Sequence, residues 1–355
     1  MVDETDQPHA PVDEVDNALK ILVRNATEEF GFAPRDVYDG VLDLPMMRLQ
    51  HTASVRIFSY SKLKAIVEMF PMKHELDDPS SRMVVVYPLR RLPEQDGWGM
   101  DFKSIHIGRK IMEQMRLEYD RHLQEAFDFL HKYPGGSNFS GWYFEAIADR
   151  MLSGGWRSDG PPPQPIPMVS DCLVPPTFST DPDSSPSQLS FAPLYADTRV
   201  TMPVDFDFKN KLSDLTLDGK NYCKPIKTNN PLFDSFTINH DCRKRTVVIS
   251  IFQITISPKH GGSPKGYLRI QEIMDSVHEL LKEASPKATV KKASSKTKVE
   301  VRYFLVCPES KLQHHWQMPD GWKRTGNHHG KVFCVRIPAS ARRGMLRLFF
   351  PNSAT

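Results

Sequence analysis

An aspartate set among phenylalanines, and a glutamine and a threonine one residue apart in a nearby apolar segment, are the residues of this chain best suited to do chemistry. Asp234 lies in "PLFDSFTI" (231–238). A carboxylate in so apolar a strand needs a partner, a metal or a wet cleft. Gln253 and Thr255 lie in "FQITISPKH" (252–260), which His260 closes. Residues i and i+2 of a strand share a face, so Gln253 and Thr255 are expected on one side and Phe252, Ile254 and Ile256 on the other. If the two segments pair antiparallel, Asp234 and Gln253 face one spot. Glu145, from the helical stretch "GWYFEAIADR", would add a second carboxylate. Oxygen donors of this kind suit Mg²⁺ or Mn²⁺; Mg²⁺ takes one or two carboxylates and keeps several waters. Such an ion polarises a phosphate and lowers the pKa of an attacking water. The chemistry would be phosphodiester hydrolysis. Asp234, Gln253, Thr255 and His260 are the candidate catalytic residues, and Glu145, Asp234 and Gln253 the candidate metal ligands. Plainer readings stand beside these. Asp234 also fits a strand-end cap, Glu145 a surface carboxylate, Gln253 and Thr255 the wet face of an edge strand, and His260 an ordinary loop histidine.

The elements that must position these residues follow from periodicity. Residues 15–32 have helical spacing, with Leu19, Leu22 and Val23 on one stripe, and Pro34 opens a second short helix. "SVRIFSYS" (54–61) and "RMVVVYPLRR" (82–91) read as strands, residues 101–133 as one or two helices, and 139–155 as a helix ended by Gly154-Gly155. A Pro/Ser-rich insertion over 157–220 carries one or two edge strands. Then "NYCKPIK", 231–238 and 245–257 give three strands, and 266–284 a helix whose apolar stripe runs Leu268, Ile270, Ile273, Met274, Val277, Leu280, Leu281. Two more strands follow at 298–308 and 331–338. Helix, three strands, helix, strand, strand predicts an α/β (α+β) fold with helices flanking one mixed sheet, preceded by a mostly helical region.

Bulk properties bound the function. The chain has 355 residues, room for two domains, and a net charge of only +3, so nucleic-acid contacts must come from local patches. The five cysteines (Cys172, Cys223, Cys242, Cys307, Cys334) form no CxxC pair, which points to reduced thiols in an intracellular, nuclear or cytoplasmic protein. No signal peptide and no membrane-spanning apolar run is read, and residues 1–16 read as a disordered tail. The histidines of "HHW" (314–316) and of 328–329 lack partners at zinc spacing. Lysines of the 285–298 run, Lys291, Lys292 and Lys296, with Lys259, are the candidates for tracking DNA phosphates; a solvated loop is the plainer reading.

The stretches "NNPLFDSF", "FQITISPKH" and "WQMPDGW" resemble the C-terminal part of crinkler and retrotransposon-hot-spot-type proteins, over roughly residues 135–340. The resemblance implies a PD-(D/E)xK, restriction-endonuclease-like domain there, with metal-dependent DNA cleavage or DNA binding as its function. It implies that residues 17–134 match the end of the family's ATPase module; residues 341–355, with the basic-apolar "RRGMLRLFF" (342–350), read as a C-terminal tail. A catalytically inactive nucleic-acid- or protein-interaction module is the alternative. Two departures bear on activity. No GxxxxGK[ST] occurs, so no ATP site is expected. The (D/E)-x-K position reads Gln253-Ile254-Thr255, an amide and a hydroxyl in place of a carboxylate and an ammonium.

Overall fold

A computed structural model describes residues 12–73, 76–89, 97–119, 123–133, 136–153, 169–172, 202–206, 208, 215–226, 230, 232–257, 263, 265–283, 297–308 and 332–337. It divides into two compact units, Met1–Trp142 and Tyr143–Thr355. The division falls eight residues later than the boundary expected at 134/135, inside a helix. Among the described residues no helix is long and apolar enough to cross a membrane.

The first unit is mostly helical: α1 (Val12–Phe30), α2 (Pro34–Leu42), α3 (Leu44–Ile57), α4 (Tyr60–Lys73), α5 (Asp78–Met83), α6 (Ile105–Tyr119) and α7 (Leu123–Lys132). One antiparallel pair, β1 (Val84–Leu89) with β2 (Gly97–Phe102), interrupts them. Local chemistry sets the boundaries. Asp43 caps α3 by accepting from Met46 N, and Asp77 caps α5 by accepting from Ser80 N. Gly31 ends α1 at φ +94°, where a Cβ would meet the Lys103 carbonyl oxygen at 2.3 Å.

Two expectations are corrected here, along with part of a third. "SVRIFSYS" is the end of α3 and the start of α4 rather than a strand. The Asp43 cap and Pro45 launch a helix that buries His51, Ser54 and Val55 at helical spacing, and the short alternation is incidental. On α1 the buried residues are Ala26 and Phe30, while Leu19, Leu22 and Val23 are exposed. α1 also begins at Val12, so residues 12–16 are not the disordered tail expected there.

His51 makes the first unit acid-sensitive. Its ring is buried against Phe30, with centroids 4.7 Å apart, and neither ring nitrogen has a hydrogen-bond partner among the described residues. Burial pulls its pKa from 6.5 down to about 4. The folded state therefore holds the ring neutral while the unfolded chain protonates it. The stability is complete above pH 6.5 and is lost as the pH falls towards 4, by about 3 kcal/mol. Denaturation midpoints measured between pH 7 and 4 should fall more steeply for wild type than for His51→Phe. Parallel curves would refute the assignment.

The second unit is built on one sheet. It begins in α8 (Ser137–Leu152) and contains β3 (Val169–Cys172), β4 (Met202–Phe206), β5 (Asp218–Pro225), β6 (Ser235–Asp241), β7 (Thr246–Ile254), α9 (Lys265–Glu283), β8 (Lys298–Pro308) and β9 (Val332–Ile337). The strand order is β3-β9-β8-β7-β6-β5-β4. β6 runs antiparallel to both β5 and β7, while β7, β8 and β9 run parallel. The sheet is mixed and flanked by helices, as expected. The two strands from the Pro/Ser-rich segment, β3 and β4, take its two edges. Pro203 in β4 has no N–H to give a ladder, and an edge tolerates that.

Each face of the sheet has its own core. On one, Ile270, Ile273, Met274 and Val277 of α9 join Val247, Ile249, Ile251, Val301 and Leu305. Each such side chain contributes roughly 1.5–3 kcal/mol by leaving water. Leu268, expected in this stripe, is 69% exposed, since it points off the face that its i+2 and i+5 neighbours bury. On the other face Phe252, Phe304 and Phe333 stack across β7, β8 and β9 at 5.3 and 4.9 Å.

Candidate functional site

The ends of β5, β6 and β7 gather polar side chains beside a very apolar core. Asp234 directly precedes β6, and its N–H donates to the carbonyl of Phe252, the residue that pairs with its neighbour Ser235. The Gln253 Nε2 amide donates to Asp234 Oδ2 at 2.8 Å, and Ile254 N donates to the same oxygen at 2.6 Å. Both hydrogen bonds end on Oδ2, so the carboxylate plane is fixed and Oδ1 is the acceptor left for anything else among the described residues.

Helix α8 adds two carboxylates. Glu145 and Asp149 are four apart and share a helix face. Asp149 Oδ1 accepts from the Tyr222 hydroxyl at 2.6 Å, and its Oδ2 pairs with Lys224 Nζ. Lys224 Nζ is also 3.9 Å from Glu145 Oε1. The Tyr222 hydroxyl in turn accepts from Ser235 Oγ. Two carboxylates therefore share one ammonium, an excess of negative charge. The Asp234 carboxyl feels it: burial, and then the Glu145 carboxylate, push it well above the usual range, with Asp149 adding to the effect. The Ile254 N–H and Lys224 pull it the other way.

The sequence-derived candidates are distributed as follows. Asp234 and Gln253 are in direct contact, and Glu145 acts on Asp234 through its charge. Thr255 lies one residue beyond the end of β7. Its N–H continues the ladder to the Val306 carbonyl, and its hydroxyl accepts from Ser257 N at 3.0 Å. Gln253 and Thr255 are 5% and 8% exposed, so this is not a wet face of an edge strand. β7 is a central strand. His260, Lys259, Lys291, Lys292 and Lys296, like the histidines at 314, 315, 328 and 329, lie outside the described residues.

Asp149, Tyr222, Lys224 and Ser235 belong to the cluster and were missed from sequence. Two signals were available: the i,i+4 carboxylates of "EAIAD" and the i,i+2 pair Tyr222 and Lys224 in "NYCKP".

The donor set can be tested against a divalent ion. Among the described residues, no group of three or more His, Cys, Asp or Glu side chains is placed to hold a metal by itself. Mg²⁺ does not need one: it takes one or two carboxylates and completes its shell with water and substrate oxygens. Asp234 and Glu145 supply that number, both are hard oxygen donors, and the excess negative charge favours a cation. In donor type and number, these residues suit such an ion. Comparisons with protein-family models, with curated proteins and with solved structures find no match to this chain.

Proposed function

We propose that the second unit is a divergent PD-(D/E)xK, restriction-endonuclease-like domain of the crinkler type that cleaves DNA phosphodiester bonds with Mg²⁺ or Mn²⁺. One observation carries the reading: Asp234 and Gln253, from neighbouring antiparallel segments, meet at 2.8 Å at the sheet end where Glu145 exerts its charge. The element order supports it. Strands β5 to β9 cross the sheet in chain order, with only β6 reversed, after a helix that carries the acidic residues. The resemblance of residues 17–134 to the end of an ATPase module belongs to the same reading.

In the reaction a water oxygen bonds to phosphorus and one ester P–O bond breaks, its electron pair leaving on the ester oxygen. The water gives up a proton and the leaving oxygen gains one, so the products are a phosphomonoester and an alcohol. A bound divalent cation would supply Lewis acidity and a more acidic water. The chain's own part is orientation. Gln253 and the Ile254 N–H hold Oδ2 of Asp234 and so aim Oδ1, while Glu145 provides the second carboxylate.

A second reading has its own support. Gln253 turns its N–H, a donor, towards Asp234 where the resemblance implies a third metal-binding oxygen. That arrangement suits a domain that binds DNA without cutting it. One experiment separates the two. Purified protein is incubated with supercoiled plasmid in Mg²⁺, Mn²⁺ or EDTA, beside Asp234→Ala. The cleavage reading expects metal-dependent nicking, reduced at least about 100-fold in the variant. Nicking that survives Asp234→Ala or EDTA would refute it. DNA retention without nicking would support the second reading.

A further inference from the structure

We propose that Lys224, on β5, is the catalytic cation of this site and does the work that the resemblance would assign to position 255. The proposal rests on the nuclease reading above and goes further by naming a residue on a different strand. Position 255 holds a threonine whose hydroxyl is turned to the backbone at Ser257. A phosphoryl group under attack by water gathers negative charge on its non-bridging oxygens, and a fixed positive charge stabilises it.

Register brings Lys224 to the right place. Tyr222 pairs with Thr237 and Cys223 with Phe236, so the next row sets Lys224 beside Ser235, the neighbour of Asp234. Ser235 pairs in turn with Phe252, the neighbour of Gln253. Lys224 thus shares a face with Ser235 and Phe252, and it reaches the candidate metal ligands through α8, with its Nζ 3.9 Å from Glu145 Oε1. Its charge is among those felt by the Asp234 carboxyl.

Lys224 is also held. Asp149 grips Nζ through Oδ2, and Asp149 is itself fixed by the Tyr222 hydroxyl on Oδ1. Tyr222 is fixed by Ser235, and both are fully buried. Such a chain of satisfied hydrogen bonds orders each member. An isolated surface ion pair contributes little to stability and needs no such backing. Arg269–Glu272 and Lys244–Asp241, both local and exposed, are pairs of that ordinary kind. The Lys224 side chain remains 30% exposed, so the frame is not sealed from solvent. The arrangement is a buried frame presenting one ammonium next to carboxylates suited to a metal.

The test compares wild type, Lys224→Met and Lys224→Arg, with thermal unfolding to check that each is folded. Two quantities are read: nicking of supercoiled plasmid in Mn²⁺, and Mn²⁺ affinity by calorimetry without DNA. Lys224→Met should lose about 100-fold in nicking, the scale for removing one group that stabilises transition-state charge. Its Mn²⁺ affinity should be unchanged or tighter, because the substitution removes a competing cation beside Glu145. Lys224→Arg should keep more of the nicking than Lys224→Met. If Lys224→Met nicks like wild type, the role assigned to Lys224 is wrong while the nuclease reading stands. If it loses nicking and Mn²⁺ binding together, Lys224 is a structural brace and the proposal fails. If wild type neither nicks nor binds Mn²⁺, the nuclease reading itself fails and takes this role with it.

Discussion

Gln253→Glu is expected to destabilise the metal-free second unit by about 3 kcal/mol and to make its stability depend on Mn²⁺. Gln253 is buried and donates its amide N–H to Asp234 at 2.8 Å. A glutamate there removes that donor, and a hydrogen bond to a charged group is worth roughly 1.5–3 kcal/mol. It also brings a second carboxylate against one that burial and Glu145 already push towards neutrality. Both effects act in the same direction while no cation is bound. A divalent ion reverses the sign, since two carboxylates at one point are then ligands. Binding to the folded state alone raises stability in proportion to the logarithm of the saturation ratio. Denaturation in EDTA and in Mn²⁺ would measure both. Gln253→Met is the control: it loses the hydrogen bond without adding charge and should not be rescued by Mn²⁺. A glutamate variant as stable as wild type in EDTA, or indifferent to Mn²⁺, would show that Asp234 and position 253 do not form one ion site. Thr255→Lys is a poorer companion change, because position 255 is buried and its hydroxyl holds Ser257 N.

The Asp234–Gln253 contact was legible in the sequence because it needs little long-range information. Two apolar segments joined by "HDCRKR" pair antiparallel across a hairpin, and alternation then assigns the faces. Helix α9 was legible for a similar reason, with Ile270, Ile273, Met274 and Val277 at helical spacing and all buried. The Lys224 arm was not. Its place beside Ser235 depends on the register of β5 against β6, and that register shifts between Asp218 and Tyr222. Alternation shows that Tyr222 and Lys224 share a face but not which row of β6 they meet. Thr255 shows the opposite failure. Period-2 reasoning ran past the end of β7 at Ile254: the Thr255 N–H still reaches Val306, but its hydroxyl is taken by a local N–H. In the first unit "SVRIFSYS" failed because a short alternation carries less information than the cap at Asp43 and the proline at 45.

Gly266→Ala should destabilise the second unit by about 3 kcal/mol, although alanine is the better helix former. Gly266 is the second residue of α9 and is buried. By propensity alone, alanine would gain up to about 1 kcal/mol. Here a Cβ would stand 2.1 Å from the Leu232 Cβ, with Leu232 Cγ and Cδ2 at 3.2 Å. The opposing atom is a Cβ, which moves only with its backbone. Leu232 cannot easily retreat: it is fully buried, and its carbonyl accepts the Tyr303 hydroxyl at 2.7 Å. Either α9 lifts off the sheet or the 232–234 segment shifts. The second course moves Asp234, two residues on, so metal-dependent nicking should fall with stability. Removing the opposing Cβ tests the cause. The pair Gly266→Ala with Leu232→Gly should lose less stability than the sum of the two single losses, because the clash is shared between them. Strict additivity, or an unfolding temperature for Gly266→Ala at or above wild type, would mean that α9 does not rest on Leu232, and the packing that fixes Asp234 at the end of the sheet would need another source.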